Sequence, residues 1–427
     1  MKTVNVAIMG IGTVGGGTYE ILKKNRAHIK KTQGVDIAVT KILDRSAELI
    51  EKRTGNKNIA TTNLDDIISD DSISIVVETM GGVEPAKTFI KKALAAGKSV
   101  VTANKELISK HWSELEQTAK AGGAGLYFEA SCVGGVPVIR TLTESIQGDN
   151  VLEIMGIING TTNYILTKMT EEGMSYSQAL KGAQEKGFAE FDPTADVEGF
   201  DATYKLSILS SLAFHTCIPY TEIYREGISN ISVSDIESAK DFGYTIKLLA
   251  IGKKKGNSVD VRVHPAFVPN SHPLASVRNE FNAVFLKGDS VDNIMLYGRG
   301  AGALPTGSAI VSDIVYCAKQ AAPRYTDFDN NGKVNSPISI ESDFKSKYYI
   351  SLFVADKPGV LSKFTEVLGN NEISLNSVIQ KGNADDGVVR IIFLTHETSE
   401  HAVRKAIEEI KQLKVVNSVD SIIRVIG

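Results

Sequence analysis

The spacing of apolar residues in the first third of the chain indicates a parallel sheet. Short apolar runs alternate there with helical stretches, and they lie at residues 4–10, 35–43, 72–79, 98–103 and 125–130. Strands that alternate with helices form βαβ units, whose sheets are covered by helices on both faces. The pattern therefore predicts an α/β fold whose first domain, residues 1–136, is a Rossmann-type doubly wound sheet.

The rest of the chain carries two other patterns. Residues 137–304 mix helical runs (138–146, 161–171 and 201–214) with strands (such as 151–158 and 259–268), which predicts an α+β domain. A helix at about residues 305–321 is expected to complete the first domain. The polar residues 322–347 are expected to be a linker, and residues 348–427 predict a βαββαβ module.

Composition narrows the class of protein. The 427 residues are 42% hydrophobic and 23% charged, which is typical of globular domains. The net charge of −3 favours neither a nucleic acid nor a membrane surface as partner, and no apolar run is long enough to span a bilayer. Three widely spaced cysteines form no disulfide or zinc pattern, and the start shows no secretory signal. We therefore expect a cytoplasmic protein.

A glycine motif near the N-terminus indicates a dinucleotide site. Gly10, Gly12 and Gly15 form G-x-G-x-x-G between the first strand and the first helix, where glycine lets backbone N–H groups approach a pyrophosphate. At the end of the second strand, Asp44 would bind the ribose hydroxyls of NAD and Arg45 the 2′-phosphate of NADP. Both are present, so the cofactor stays open, and Asp44 as a helix cap is the alternative.

The segment KGFAEFDPTADVEGFDATYK groups ionisable residues among small and apolar ones. It contains Glu190, Asp196, Asp201 and Lys205, and we expect Phe191, Pro193 and Val197 to make it an ordered loop. Asp201 and Lys205 are four residues apart, which places them on one face of a helix. A lysine held beside acids can donate a proton and orient a small polar substrate. The alternative is an ordinary surface ion pair.

Three further turns carry candidate polar groups. Lys105 follows the fourth strand, at the sheet edge where ligands bind in open α/β sheets, unless it only starts a surface helix. Glu129 follows the fifth strand in EASCVGGVP, whose carboxylate and bent backbone suit a hard cation such as sodium, unless Glu129 only caps a helix. Asn159, in NGTTN, would either cap the next helix or bind a polar substrate group.

Taken together, these segments resemble the bacterial homoserine dehydrogenases that carry a C-terminal ACT domain. The matching stretches follow the family's order along nearly the whole chain: GIGTVGGG, TANK, EASCVGGVP, NGTTNYIL, KGFAEFDPTADVEGFDATYKL, HPLASV and GRGAGALPTGSA. Asp356-Lys-Pro-Gly359 resembles the first turn of an ACT domain. The resemblance implies reversible NAD(P)-dependent reduction of L-aspartate 4-semialdehyde to L-homoserine, in the biosynthesis of threonine, methionine and isoleucine. It also implies that the middle domain binds substrate and dimerises, in a homodimer or homotetramer.

The resemblance also implies roles for single residues. Lys205 would donate the proton to the aldehyde oxygen, Lys105 would lie near nicotinamide and substrate, and Glu190 and Asp201 would hold the substrate, Glu190 through its α-ammonium group. Thr13, Val14, Thr79, Ala103 and Lys105 match cofactor contacts, and Gly187 and Gly302 match further loop contacts to cofactor or ion. A sodium ion would be held by Glu129 and by the carbonyls of Cys132, Gly134 and Val136. Cys132 departs from the valine expected there, a change that a carbonyl ligand tolerates.

Several points of mechanism stay open at this stage. We expect the two lysines to lower each other's pKa, which would assist proton transfer near neutral pH. Threonine is the implied effector of the ACT domain, whose alternative role is dimerisation alone. Two other functions remain: an aspartate-semialdehyde dehydrogenase-like enzyme that uses Cys132, and a decayed amino-acid sensor. The first lacks a histidine base beside Cys132 in the sequence, and the intact set of lysines and acids disfavours the second.

Overall fold

The computed structural model describes residues 2–381 and 387–427. Met1 and residues 382–386, which the predicted domain ranges include, lie outside the described residues. The strands are β1 Lys2–Met9, β2 Val35–Leu43, β3 Ala60–Thr61, β4 Ile73–Glu78, β5 Ser99–Thr102, β6 Leu126–Tyr127, β7 Val151–Ile157, β8 Tyr224–Arg225, β9 Tyr244–Lys255, β10 Ser258–Pro269, β11 Phe281–Gly288, β12 Asn293–Arg299, β13 Ser339–Ile340, β14 Lys345–Ala355, β15 Leu375–Lys381, β16 Val388–Thr395, β17 Thr398–Ser399 and β18 Val416–Val425.

The helices vary from one turn to about six turns in length. They are α1 Thr13–Gln33, α2 Ala47–Thr54, α3 Asp65–Ile68, α4 Ala86–Ala95, α5 Lys105–Gly122, α6 Val138–Arg140, α7 Gly160–Glu172, α8 Tyr176–Glu185, α9 Thr194–Val197, α10 Phe200–Phe214, α11 Val233–Asp241, α12 Ala303–Lys319, α13 Val360–Asn370 and α14 Glu400–Lys411. Among the described residues, no helix is both long enough and apolar enough to cross a bilayer.

The first sheet has the strand order β3-β2-β1-β4-β5-β6, and its neighbouring strands are parallel. The continuous apolar run of β1 is explained by this position, because a central parallel strand is covered on both faces. The carboxyl ends of β1 and β4 meet at one edge, where the strand order reverses and opens the crevice that holds ligands in such folds. The α/β prediction for this part of the chain is confirmed.

Helix α12 returns to this sheet from far along the chain. It packs against α1 closely enough that a Cβ on Gly17 would lie 2.2 Å from the carbonyl oxygen of Ala303. Ile310 and Ile314 of α12 share one apolar core with Leu22 of α1 and with the strands. The apolar period of α12 is thus explained by a partner that lies almost three hundred residues earlier.

The second sheet joins the middle of the chain to its end. Its strand order is β12-β11-β7-β9-β10-β18-β14-β16-β15, with β8 and β13 beside β10 and β17 beside β14. Strand β18 pairs with β10 in parallel, Ala266 opposite Arg424 and Phe267 opposite Val425. Helices α13 and α14 cover one face of the C-terminal strands over a core that contains Phe364. The predicted α+β domain and βαββαβ module are both confirmed.

The helix predicted over residues 138–146 is interrupted. It ends as α6 after three residues and continues as a π-helical turn, Thr141–Ser145. This wider turn aims Glu144 at the hydroxyl of Tyr316, 2.6 Å away, and at the guanidinium of Arg324, 2.8 Å away. Both partners lie beyond residue 303, so periodicity within the segment could not have indicated the turn.

The polar residues after α12 are held against the first domain. The buried carboxylate of Glu116, on α5, accepts hydrogen bonds from the backbone and hydroxyl of Thr326 and from the side chain of Asn330. The hydroxyl of Ser113 donates to the carbonyl of Asn330 over 2.7 Å. This segment is therefore anchored to the first domain at Thr326 and Asn330, although its composition is that of a loop.

Candidate active site

A buried carboxylate lies between two lysines that come from different domains. Nζ of Lys205 is 2.6 Å from Oδ2 of Asp201, and Nζ of Lys105 is 3.3 Å from Oδ1 of the same group. Asp201 and Lys205 lie on α10 of the middle domain, four residues apart as predicted, whereas Lys105 begins α5 of the first domain. The site therefore spans the cleft between the two domains.

The Asp201–Lys205 pair is held by the turn before α7. The carbonyl of Ile158 accepts a hydrogen bond from Nζ of Lys205 over 2.9 Å. Nδ2 of Asn159 donates to Oδ2 of Asp201 over 2.9 Å and to Oδ1 of Asp196 over 2.7 Å. Oδ1 of Asn159 also accepts from the backbone of Thr162, so Asn159 caps α7. The capping alternative for NGTTN is therefore what the structure shows, and the other end of the same amide binds the two acids of the site.

Opposite charges set the ionisation of this cluster. Burial opposes ionisation of Asp201, but Lys205 and Lys105 outweigh it and hold the pKa of the carboxyl well below its usual range. Because the folded pKa is the lower one, this pairing stabilises the fold above the ordinary carboxyl range and is lost only as the pH falls through the depressed value. Asp201 is therefore a fixed negative charge at neutral pH.

The expectation that the two lysines lower each other's pKa is wrong for Lys105. Its pKa is raised, chiefly by the charge of Asp201, which outweighs desolvation. The negative charge of Asp201 favours the protonated form of Lys105, and this effect outweighs that of the second ammonium group, on Lys205. The side chain of Lys105 is 43% exposed and that of Lys205 is 11% exposed, so Lys105 forms the open side of the cluster.

The loop that carries Glu190 is not part of this cluster. The side chain of Glu190 is exposed. Of the residues expected to order the loop, Val197 is buried, but the expectation is wrong for Phe191, which is 99% exposed. The loop is held instead by Gln184, whose amide donates to the carbonyls of both residues. It is anchored at its base, where the hydroxyl of Thr161 donates to the carbonyl of Phe188 over 2.7 Å. Among the described residues, the exposed carboxylate of Glu190 forms no ion pair.

The glycine motif forms a tight turn with open space in front of it. Gly10 has φ +94°, and a Cβ on Gly15 would lie 1.9 Å from the carbonyl oxygen of Gly10, so both positions require glycine. A Cβ on Gly12 would meet no described atom within 4 Å. Thr13 begins α1 and Val14 is half-buried behind it. A helix N-terminus behind an open glycine turn fits the pyrophosphate of a dinucleotide.

The carboxylate of Asp44 accepts hydrogen bonds from two backbone N–H groups. Oδ2 accepts from the N–H of Ile11 over 2.8 Å and Oδ1 from the N–H of Arg45 over 2.7 Å. The carboxylate thus ties the end of β2 to the glycine turn, while the side chain of Arg45 is exposed. No sequence pattern indicated Arg53, whose guanidinium donates to the carbonyl of Gly12 over 3.0 Å.

Buried Glu78, which no sequence pattern indicated, joins the ends of two strands. Its carboxylate accepts hydrogen bonds from the hydroxyl of Thr102 over 2.6 Å and from the backbone of Met80 over 2.8 Å, and burial raises its pKa. Thr79 and Ala103 directly follow β4 and β5, and the hydroxyl of Thr79 donates to the carbonyl of Gly10. Only long-range contacts reveal this role, because an acid inside an apolar strand has no local pattern.

Two other predicted glycines lie at helix ends with a positive φ. Gly302, with φ +122°, precedes α12, and the next residue, Ala303, lines a recess of about 410 Å³ together with Thr13 and Arg53. This places Gly302 next to the glycine motif. Gly187, with φ +73°, follows α8 and precedes the exposed loop that contains Glu190.

The carboxylate of Glu129 caps a helix. Its oxygens accept from the backbone of Ile139 over 2.9 Å and of Arg140 over 2.7 Å. Burial and the neighbouring Asp313 raise its pKa to about 7, although these two hydrogen bonds oppose the shift. The contacts of Glu129 in the structure are therefore those of the helix-capping alternative. Each carboxylate oxygen keeps a second lone pair for a ligand.

The donor set around Glu129 fits a hard cation. Cys132 and Gly134 are buried, and within the described ranges their carbonyls accept no hydrogen bond, while that of Val136 accepts from the N–H of Val138. Gly134 has φ +54°, and a Cβ there would lie 2.4 Å from the carbonyl oxygen of Gly300. Buried carbonyls without partners are costly unless water or an ion binds them. Oxygen atoms alone form this set, which suits sodium.

Cys132 itself is placed as a structural residue. It is completely buried, and its thiol lies 3.9 Å from the carbonyl of Lys205. Burial raises the pKa of this thiol to about 12, and the environment holds it in the unreactive neutral form. A role as nucleophile is therefore disfavoured.

Comparisons with known proteins agree with this architecture. The family model for homoserine dehydrogenase matches residues 137–315, the model for its NAD-binding domain matches residues 10–129, and the ACT domain model matches residues 348–415. Homoserine dehydrogenase of Bacillus subtilis is 38% identical over 100% of this chain and 99% of its own length.

Solved structures give the same result. A homoserine dehydrogenase from Thiobacillus denitrificans superposes with a TM-score of 0.93 at 38% identity, over 100% of this chain and 99% of its own. A hyperthermophilic archaeal homoserine dehydrogenase in complex with NADPH has a TM-score of 0.64 at 29% identity, over 75% of this chain and 100% of its own.

The nucleotide-binding sheet, the middle domain and the C-terminal module define an NAD(P)-dependent oxidoreductase with an ACT domain. The chain belongs to the homoserine dehydrogenase family, as the sequence predicted. It catalyses the reversible NAD(P)-dependent reduction of L-aspartate 4-semialdehyde to L-homoserine, a step of amino-acid biosynthesis.

We expect Cys132 to be unreactive in the folded enzyme. Burial raises the pKa of this thiol far above pH 8 and excludes reagents, so iodoacetamide should modify Cys132 only after unfolding in urea. Peptide mass spectrometry of native and unfolded samples measures this, and Cys132→Ser should retain turnover. Rapid native labelling that parallels loss of turnover would contradict the burial argument.

Proposed function

We propose that Lys205 is the proton donor of the dehydrogenase reaction and that Lys105 stabilises the charge that develops on the substrate oxygen. The observation that carries this proposal is the shared carboxylate of Asp201, which brings two ammonium groups from two domains to one point of the cleft. A carbonyl oxygen placed there would meet both. Asp201 orients Lys205 and supplies a fixed negative charge.

The chain's own residues perform the following steps. The glycine turn and Thr13 bind the dinucleotide, which when bound supplies the hydride to the aldehyde carbon. As negative charge grows on the aldehyde oxygen, Nζ of Lys205 gives its proton to that oxygen, and the carbonyl of Ile158 keeps the amine oriented. In the direction of homoserine oxidation, the neutral amine of Lys205 takes the hydroxyl proton. Lys105, on the exposed side, stabilises the charged oxygen.

Glu190 is proposed to bind the α-ammonium group of the substrate. Its carboxylate is exposed on a loop whose two ends are tied to the start of α7 and its N-cap, through Phe188 to Thr161 and through Asp196 to Asn159. The same turn holds Asp201. An unpaired acid beside this cluster suits a zwitterionic amino acid, whose ammonium group needs a counter-charge.

The finer identity of cofactor, ion, effector and assembly is also proposed. Each oxygen of Asp44 already accepts a backbone N–H, while the cationic side chains of Arg45, which is exposed, and Arg53 lie at the same edge, which favours NADP. Glu129 and the carbonyls of Cys132, Gly134 and Val136 would hold sodium, which would fix this turn. Threonine is proposed as effector of the ACT domain, in a cytoplasmic homodimer or homotetramer.

The roles of Lys205 and Glu190 predict a division between kcat and KM. Lys205→Met should lower kcat by about 10²- to 10⁴-fold and leave dinucleotide binding unchanged, because only proton transfer is lost.

Glu190→Gln should raise the KM for homoserine by about 10- to 100-fold, because a charged hydrogen bond is lost. Steady-state rates and dinucleotide titration by fluorescence measure both.

The matched control for Lys205 is Lys168→Met, which breaks a helical ion pair of the same spacing with Glu172 on α7. It should leave kcat unchanged. Unchanged turnover in Lys205→Met would remove this lysine from the mechanism, and an effect of Glu190→Gln on the cofactor's KM alone would reassign Glu190.

The raised pKa of Lys105 predicts a change in pH dependence. Asp201→Asn removes the charge that raises this pKa, so Lys105 should lose its proton at lower pH and the alkaline limb of the rate of aldehyde reduction should move downwards. Asp192→Asn is the control, since Asp192 is exposed and only caps the turn at Thr194. An alkaline limb that stays in place or moves upwards in Asp201→Asn would contradict the electrostatic account.

One set of assays tests the cofactor, the ion and the effector. Initial rates should be higher with NADP than with NAD at equal concentration. The melting temperature should be higher in sodium chloride than in potassium chloride of equal ionic strength, because a bound ion stabilises the fold. L-threonine should inhibit the full chain. Preference for NAD, equal melting in both salts, or insensitivity to threonine would each overturn the corresponding proposal alone.

A further inference from the structure

Residues 224–228, here called the bridging segment, contact both the C-terminal module and the catalytic helix α10. The segment includes β8, which pairs with β10 so that Arg225 lies opposite Val263. The N–H of Glu226 donates to the carbonyl of Val263 over 2.8 Å. It thus lies beside the strand that also binds β18 of the C-terminal module.

On one side, buried charges tie the bridging segment to the module. Arg424, which is completely buried, donates to Oε2 of Glu226 over 2.6 Å and to the hydroxyl of Tyr224 over 2.6 Å. Its remaining partner is Glu400 of α14. Arg404 of the same helix binds Glu226 over 3.1 Å.

These contacts resist separation, because a buried guanidinium that loses one carboxylate is left under-compensated. A movement of β18 or α14 therefore carries the bridging segment with it.

On the other side, the bridging segment holds the start of α10. The guanidinium of Arg225 donates to the carbonyl of Glu198 over 2.5 Å and lies 3.5 Å from the ring centroid of Phe200, the first residue of α10. The N–H of Ile228 donates to the carbonyl of Val197 over 2.8 Å. The two backbones approach so closely that a Cβ on Gly227 would lie 2.4 Å from the oxygen of Val197.

The residues so held determine where α10 begins. Gly199, with φ +81°, precedes the helix, and its carbonyl accepts from the N–H and the hydroxyl of Thr203 over 3.0 Å and 2.8 Å. Asp201 and Lys205 follow within the first two turns. A shift of Glu198 and Phe200 therefore displaces the lysine–carboxylate pair relative to Lys105, which belongs to the other domain.

We infer that Arg225 is a positioning residue for Asp201 and Lys205, and that the C-terminal module acts on the active site through Glu226 and Arg225. This inference rests on the proposed catalytic role of Lys205. It deepens the proposed regulation by naming the route: module charges hold the bridging segment, and the bridging segment sets the position of α10. Coupling here is a packed series of contacts between two sites, and its strength is measurable as an energy.

A second contact between the module and the middle domain provides the control. Arg390 of β16 binds Asp235 of α11 over 3.3 Å and Asp420 over 3.1 Å, and the hydroxyl of Ser421 donates to Asp235 over 2.7 Å. This contact has a similar buried charge pair, but α11 packs on β9 and α7. Arg390→Lys weakens attachment of the module without altering the bridging segment.

The test is a double-mutant cycle on the full-length enzyme. Arg225→Ala should lower kcat by about 3- to 30-fold, with the KM for the dinucleotide unchanged. In the Lys205→Met background the same change should cost less than about twofold, because a residue that acts through Lys205 has nothing left to position. Arg225→Lys, which keeps the charge, should restore part of kcat, and thermal melting verifies that each variant is folded.

Two results would overturn the inference: an equal loss of kcat from Arg225→Ala in both backgrounds, or no loss in either. Glu226→Gln should lower kcat less than Arg225→Ala does, and Arg390→Lys should not change it. If Arg390→Lys instead lowers kcat as much as Glu226→Gln, general attachment of the module matters and the bridging route is wrong.

L-threonine serves as the effector probe. In Glu226→Gln its inhibition constant should rise by about 3-fold or more relative to the unsubstituted enzyme, and in Arg390→Lys it should not. An unsubstituted enzyme that threonine does not inhibit removes only the effector proposal, because the cycle with Lys205 still decides the positioning role. If Lys205→Met retains full turnover, the proposed mechanism fails first, and the inference about Arg225 fails with it.

Discussion

The carboxylate of Asp201 is buried and depends on cations from both domains. Lys205, one helical turn away on α10, is almost buried and stays with it, whereas Lys105 reaches it from the end of β5 and remains nearly half exposed. Compensation of the charge of Asp201 therefore depends on how the two domains are arranged, since opening the cleft removes one of the two cations from Asp201. The energy that favours the closed arrangement also assembles the site for an aldehyde oxygen.

The acids around the cleft share a structural task. Asp44, Glu78 and Glu129 each accept hydrogen bonds from backbone N–H groups at a strand end or helix start, so each one fixes a turn that a ligand is proposed to contact. Burial makes these hydrogen bonds obligatory for Glu78 and Glu129, because an unpaired carboxylate there would be costly. The turns are rigid before any ligand arrives, which reduces the entropy that binding has to overcome.

The fold could be predicted from the sequence because its signals are local. The apolar runs of β1, β2, β4 and β5 and the spacing of Asp201 and Lys205 need only nearby residues to be recognised. Long-range contacts account for what was missed: the π-helical turn before Ile146 depends on Tyr316 and Arg324, and Glu78 acts through Thr102.

The error about the pKa of Lys105 has the same origin. The sequence shows two lysines, but not that a carboxylate lies between them. Phe191 illustrates the opposite error, since an apolar residue in a loop indicates packing only when a partner lies within reach, and none of the described residues covers it.

The return of α12 to the first sheet has a consequence for synthesis of the chain. The strands of that sheet are complete at Tyr127, yet the apolar face that Leu22 shares with Ile310 and Ile314 stays uncovered until residues 303–319 have left the ribosome. Domains usually mature one after another from the N-terminus as they emerge. Here the nucleotide-binding domain must wait for the entire middle domain to be translated, so the two halves of the catalytic cleft become native together.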